Sequence, residues 1–156
     1  MFMMNSIKFF ALCLIGMTVL SCSKSTLVED SVPTGGTFIK FKQSNMSYTL
    51  NNPIITDLSN TKIDAFQGSD ASLVSITLYM PLDATIGTHF MTDSPSDDNT
   101  YGAYYIQGNN VDMLANAGII TITSITENAI EGTFSFSGLN GSAIVEVTNG
   151  SFIAVR

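Results

Sequence analysis

From Ile39 onward the apolar residues of this chain recur at every second position, in short runs broken by turn residues. No stretch sustains the 3.6-residue spacing of a helix. Period two sends successive side chains to opposite faces of a strand, so each run has one face to bury and one to leave in water. Ile39 and Phe41 alternate with Lys40 and Lys42, and Met46, Tyr48 and Leu50 with Ser47 and Thr49, until Asn51-Asn52-Pro53 ends the run. Residues 62–67 form a weaker candidate. Val74, Ile76, Leu78 and Met80 make a strong one that stops at Pro81. Gly87–Met91, Tyr101–Gln107 and Ile119–Ile125 follow, with a single helical turn expected over residues 110–116. Abundant Ile, Val, Phe, Tyr and Thr suit strands. The expectation is an all-β domain, a single antiparallel β-sandwich of about eight strands, with a lipocalin-like β-barrel as the alternative.

The C-terminus carries the densest pattern. Ile130, Gly132, Phe134 and Phe136 share one face, with Glu131, Thr133, Ser135 and Ser137 on the other, and Leu139-Asn140-Gly141-Ser142 then reads as a tight hairpin turn. That turn sets Val145 and Val147 opposite Phe136 and Phe134. Continued without interruption, the same register opposes apolar Ile130 with Ser151. One extra residue at Asn149-Gly150 brings Phe152 to the apolar face instead, so a glycine bulge is favoured there over a second hairpin.

The N-terminus has a different character. One cation, Lys8, precedes the apolar run Phe9–Leu20, which at 12 residues is shorter than the roughly 20 needed to cross a bilayer. A short apolar run ending in a small residue, Ser21, fits a cleaved signal peptide. Val19-Leu20-Ser21-Cys22 resembles a lipobox, although Leu20 is a less usual residue at its place. That resemblance implies cleavage between Ser21 and Cys22 and lipid attached to the Cys22 sulfur and amine. Several acyl chains hold a protein stably on a membrane where a single one does not. The other reading is an ordinary signal peptide followed by an incidental cysteine. Residues 1–21 are thus expected to be removed, 22–36 to form a lipidated flexible tether, and 37–156 the sandwich. Cleavage would take Cys13 away, leaving no partner for a disulfide. The 14 residues after Cys22 span at most about 45 Å fully extended. Ser23, in place of an aspartate that retains some lipoproteins at the inner membrane, favours the outer membrane. Surface-exposed and periplasm-facing orientations both stay open.

Several features occur in order: the lipobox, a Ser-rich tether, Gly87-Thr88 before an aromatic, Ala117–Ile122, Ile130-Glu131-Gly132-Thr133-Phe134-Ser135-Phe136, and Val147-Thr148-Asn149-Gly150-Ser151-Phe152. Together they resemble small Bacteroidota-type lipoproteins of unknown function. The shared motifs are turns, bulges and core aromatics. The resemblance implies fold and location and brings no catalytic residues.

Chemistry-bearing constellations are sparse. The formal charge is −7, and removal of Lys8 leaves five basic against thirteen acidic residues, with no basic patch for a nucleic acid. His89 is the sole histidine, and neither Gly-x-Ser-x-Gly nor a set of zinc ligands accompanies it. A hydrogen-bonded structural histidine is the expected role. Asp93, Asp97 and Asp98, with Asn99, form an oxygen-rich loop that is a weak calcium candidate, because the spacing is not that of an EF-hand and such loops are ordinary turn composition. Glu131 and Glu146 are expected to face each other across the C-terminal hairpin as solvated surface, without the cleft a glycosidase pair needs. Tyr101, Tyr104 and Tyr105 are candidates for ligand contact, and adjacent Tyr104 and Tyr105 must point to opposite faces, one into the core and one outward. The expected role is therefore that of a non-enzymatic, membrane-anchored binding module without metal or cofactor, taking a glycan or an envelope protein. A structural envelope component without a ligand is the alternative, and a hydrolase a distant third.

Overall fold

The structure, a computed structural model, describes residues 36–67, 73–93, 99–108 and 110–156. Ten strands form: β1 (Phe38–Gln43), β2 (Met46–Asn51), β3 (Ile54–Asp57), β4 (Thr61–Phe66), β5 (Val74–Met80), β6 (Gly87–Met91), β7 (Gly102–Gln107), β8 (Val111–Ile125), β9 (Ala129–Asn140) and β10 (Ala143–Val155). No helix occurs among the described residues. The fold is all-β, with ten strands among the described residues where about eight were expected. Part of the excess is β3, four residues between Pro53 and Leu58 that are too short to show a period. The helical turn expected at 110–116 is strand: Val111, Met113 and Ala115 are buried while Asp112, Leu114 and Asn116 are exposed. Outward Leu114 filled the gap in the alternation and imitated a helical apolar cluster.

One run of strands, β2-β1-β10-β9-β8-β6, is antiparallel throughout, and a second, β3-β4-β5-β7, covers it. The two join where β7 pairs with the first third of β8, and again at one parallel residue pair, Val155↔Ile54. This sandwich-like order departs from the up-and-down sequence of a lipocalin-like barrel, because β10 lies between β1 and β9, and β6 and β7 both border β8. A single core fills the interior. Phe41 of β1 meets Tyr105 of β7 edge-on, with ring centroids 5.6 Å apart.

The β9–β10 hairpin turns through two residues, Gly141-Ser142, with Asn140 paired to Ala143. Gly141 sits at φ +63°, which glycine adopts without steric cost. The turn lies one residue later than the Leu139–Ser142 reading centred on Asn140-Gly141. Val147 therefore faces Phe136, and Val145 faces Gly138, two positions from the expected partners. Glu131 and Glu146 do not meet across the hairpin either: they lie in separate rows and face Ile153 and Ser137.

The bulge is present as expected. Between Val147↔Phe136 and Gly150↔Phe134, β10 advances three residues while β9 advances two. On the other side of β10, Lys42 pairs with Thr148 and Lys40 with Ser151, so β1 meets the same extra residue. Asn149 occupies the left-handed region at φ 52°, one of the few non-glycine types that does so readily. Before the bulge Val145 and Val147 point inward; after it, Gly150, Phe152 and Ala154 do. Gly150 opposes Phe134 and Gly132 opposes Phe152. A Cβ on Gly132 would stand 2.4 Å from the Thr121 carbonyl oxygen and 2.8 Å from the Phe152 ring. Each glycine leaves room for the ring across from it.

Inserting one further residue after Asn149 would exceed the single residue that the bulge absorbs and turn Phe152 and Ala154 outward and Ser151 inward. Urea unfolding of that variant should show a loss above about 4 kcal/mol or no cooperative transition, whereas Asn149→Gly should stay within about 1 kcal/mol of the parent.

Candidate functional site

The outer face of β4, β5, β7 and the start of β8 collects most of the outward aromatic and charged side chains of that layer. Register places Lys62 beside Tyr79, and Tyr79 beside Gly102. The Lys62 ammonium lies 5.4 Å from the centre of the Tyr79 ring. In the next row Asp64, Thr77, Tyr104 and Leu114 follow one another across four strands. Thr77 donates a hydrogen bond to Asp64, and the Tyr104 hydroxyl donates one to Asp112. That carboxylate bond, with burial second, pushes the Tyr104 pKa up to about 12. Burial, with Asp64 adding to it, also raises Tyr79.

The Tyr104 row continues past the layer boundary. Leu114 and Leu139 each stand one residue beyond the buried Ala115↔Gly138 pair, on its outer side, and Leu139 pairs directly with Ile144. Leu139 is 51% exposed and Ile144 72%. Tyr104, Leu114, Leu139 and Ile144 thus form an outward strip over β7, β8, β9 and β10.

The opposite face of the sheet differs in chemistry. Thr49, Lys40, Ser151, Thr133, Thr121 and Thr88 lie in one register row across six strands, with Thr88 and Thr121 hydroxyls 2.9 Å apart. Small outward residues on β9 sink below their neighbours and leave two adjoining shallow hollows of about 310 and 470 Å³, which share Ser135. Asn149 on the bulge and Glu146 border them on the β10 side, and Ile119 on the β8 side.

The three candidate tyrosines go to three environments. Tyr104 points outward and Tyr105 is fully buried, as alternation required; burial drives the Tyr105 hydroxyl far above its usual range. Tyr101 is half-buried and stacks on His89, with centroids 4.1 Å apart and planes 10° apart. The His89 Nε2–H donates to the Thr85 carbonyl at 2.8 Å, which makes it the hydrogen-bonded structural histidine expected. Asp93 is exposed, while Asp97 and Asp98 lie outside the described residues, as do Ser21 and Cys22. Among the described residues no three His, Cys, Asp or Glu side chains gather as a metal-holding group. Tyr79, Leu139 and Ile144 escaped the sequence reading. In the sequence Leu139 reads only as part of the hairpin turn, and Tyr79 and Ile144 carry no assigned role.

Residues 65–156 match a domain of unknown function, DUF6252. The chain belongs to the DUF6252 family. No curated protein and no solved structure matches it. The DUF6252 match takes in Tyr79, the Tyr104–Ile144 strip and the Asn149 bulge, while β1, β2 and β3 precede it and complete the sheet.

Tyr104 supplies a pH test within the DUF6252 region. Its raised pKa favours the protonated, folded form, so its contribution to stability is intact below about pH 10 and fades as pH rises towards about 12. Asp112→Asn should return the tyrosine absorbance titration towards the ordinary value, read at the phenolate band. An unchanged titration would remove Asp112 as the cause.

Proposed function

We propose that this chain is an envelope lipoprotein, held on a membrane through lipid on Cys22, that binds a protein partner and catalyses no reaction of its own. The observation that carries the binding half is the strip of Tyr104, Leu114, Leu139 and Ile144. Exposed aliphatic and aromatic side chains on adjacent strands cost free energy in water, and contiguous patches of them are characteristic of protein docking surfaces. Tyrosine adds a large rigid contact area with a polar tip, the type of residue over-represented among interface anchors. Asp112 fixes the Tyr104 hydroxyl, so little side-chain freedom is lost on docking. The anchor half rests on Val19-Leu20-Ser21-Cys22 and the tether behind it, and Ser23 favours the outer membrane.

A second reading follows from the hollows over β9. Hydroxyls of Thr133, Ser135 and Ser137, with Asn149 and Glu146 at the rim, suit a polyhydroxylated glycan in an open trough.

Photo-crosslinking from position 139 in cells separates the two. The protein-partner reading predicts a discrete adduct that Ile144→Asp reduces tenfold or more, equivalent to about 1.4 kcal/mol. No adduct at 139, together with glycan-array binding abolished by Ser135→Leu, would select the glycan. Cys22→Ser should move the protein from the membrane to the soluble fraction; unchanged processing and membrane association would refute the anchor.

A further inference from the structure

Three exposed aliphatic residues lie outside both surfaces described above, in turns at one end of the sandwich. Leu58 is 75% exposed, Leu82 55% and Ile86 64%. Pairing shows that these turns share an end. Leu58 follows β3 in the turn to Thr61, Thr61 pairs with Met80, and Met80 leads through Pro81 to Leu82. Ile86 precedes Gly87, which pairs with Ile122 near the end of β8.

The chain enters the sandwich at that end. The Thr37 carbonyl accepts a hydrogen bond from the Asn52 amide at 3.1 Å, and Phe38 pairs with Asn51 and with Ile153, two residues before β10 ends. From there β3 runs parallel to β10 and beyond it, so the Leu58 turn projects farther than the entry point.

We infer that the end bearing Leu58, Leu82 and Ile86 rests in the interface of the lipid bilayer, so that the sandwich stands on the membrane with Leu139 and Ile144 turned away from it. The inference rests on the lipid anchor at Cys22. Tether length decides which end is held down. Bringing the Gly141-Ser142 tip to the bilayer would make the tether run back along the 13 residues of β10, about 43 Å at 3.3 Å per residue. That consumes nearly the whole extended reach of about 45 Å. The entry end needs almost none of it. Once the acyl chains hold the domain at the surface, the second contact is intramolecular and even weak partitioning of three aliphatic side chains becomes effective. Charge at this end sets the lipid preference. Asp57 is paired with Arg156 at 3.0 Å, and Arg156 also donates to the Thr126 carbonyl, while Asp83 and Glu127 are unopposed by any described salt bridge. Two carboxylates at the rim disfavour an anionic surface and leave a zwitterionic one as the better fit.

Full-length lipidated protein in zwitterionic phospholipid vesicles tests this. With Cys22 lipidated and Cys13 removed, one introduced cysteine carries the only dye. Leu58→Cys and Leu82→Cys labels should be quenched several-fold more by lipids bearing a chain quencher than an Ile144→Cys label, and the contrast should shrink in anionic vesicles. Equal quenching at 82 and 144, or stronger quenching at 144, in protein that floats with the vesicles overturns the orientation alone. Protein that does not float overturns the anchor and this inference together.

Discussion

The rest of the structure depends on the one extra residue that β10 inserts at Asn149. A strand that borders three others has to present apolar side chains to a single core along its whole length. The sequence of β10 changes phase midway: Val145 and Val147 occupy odd positions, Gly150, Phe152 and Ala154 even ones. Without the bulge one of these sets would face water. Each fully buried large side chain contributes roughly 2–3 kcal/mol, so exposing Phe152 and Ala154 while burying Ser151 would remove a large fraction of the stability of a domain this size. Asn149 takes the left-handed conformation that the insertion demands, and both β9 and β1 accommodate it.

The bulge also connects the core to the surface. Phe134 and Phe152 each lie across from a glycine, so the rings settle close to the backbone of the facing strand. On the outside, small β9 residues lie between the raised bulge of β10 and Ile119 of β8, which is why the shallow hollows occur there. The face of the other layer has no such constraint. It carries Tyr79, Tyr104 and two carboxylates, and passes into the Leu114–Leu139–Ile144 strip where β8 crosses between the runs. One continuous sheet thus presents a hydroxyl-rich surface and an aromatic–aliphatic one.

Much of this was legible in the amino-acid sequence because period two has one physical meaning. Alternation defined β1, β2, β5 and β9, separated Tyr104 from Tyr105, and required a bulge at Asn149-Gly150 to rescue Phe152. Registers were harder. The β9–β10 turn was misplaced by one residue because Asn140-Gly141 and Gly141-Ser142 are both acceptable two-residue loops, and local preference cannot choose between them. Packing of Phe136 against Val147 chooses. β3 was invisible because four residues carry no period, and the start of β8 was misread because an outward leucine breaks the alternation. The strip was missed because Leu114 and Leu139 fall in segments that read as a helical turn and a hairpin turn, and only the register shows that they and Ile144 share one outward row.

Cross-strand nuclear Overhauser contacts in β10 test the central claim most directly. The account predicts contacts from the Val147 methyls to the Phe136 ring and from the Phe152 ring to the Gly132 α-protons, within one folded species. Contacts joining Ser151 to Gly132 along an unbroken ladder from Val147 would show a straight strand, and would contradict the bulge on which the core arrangement rests.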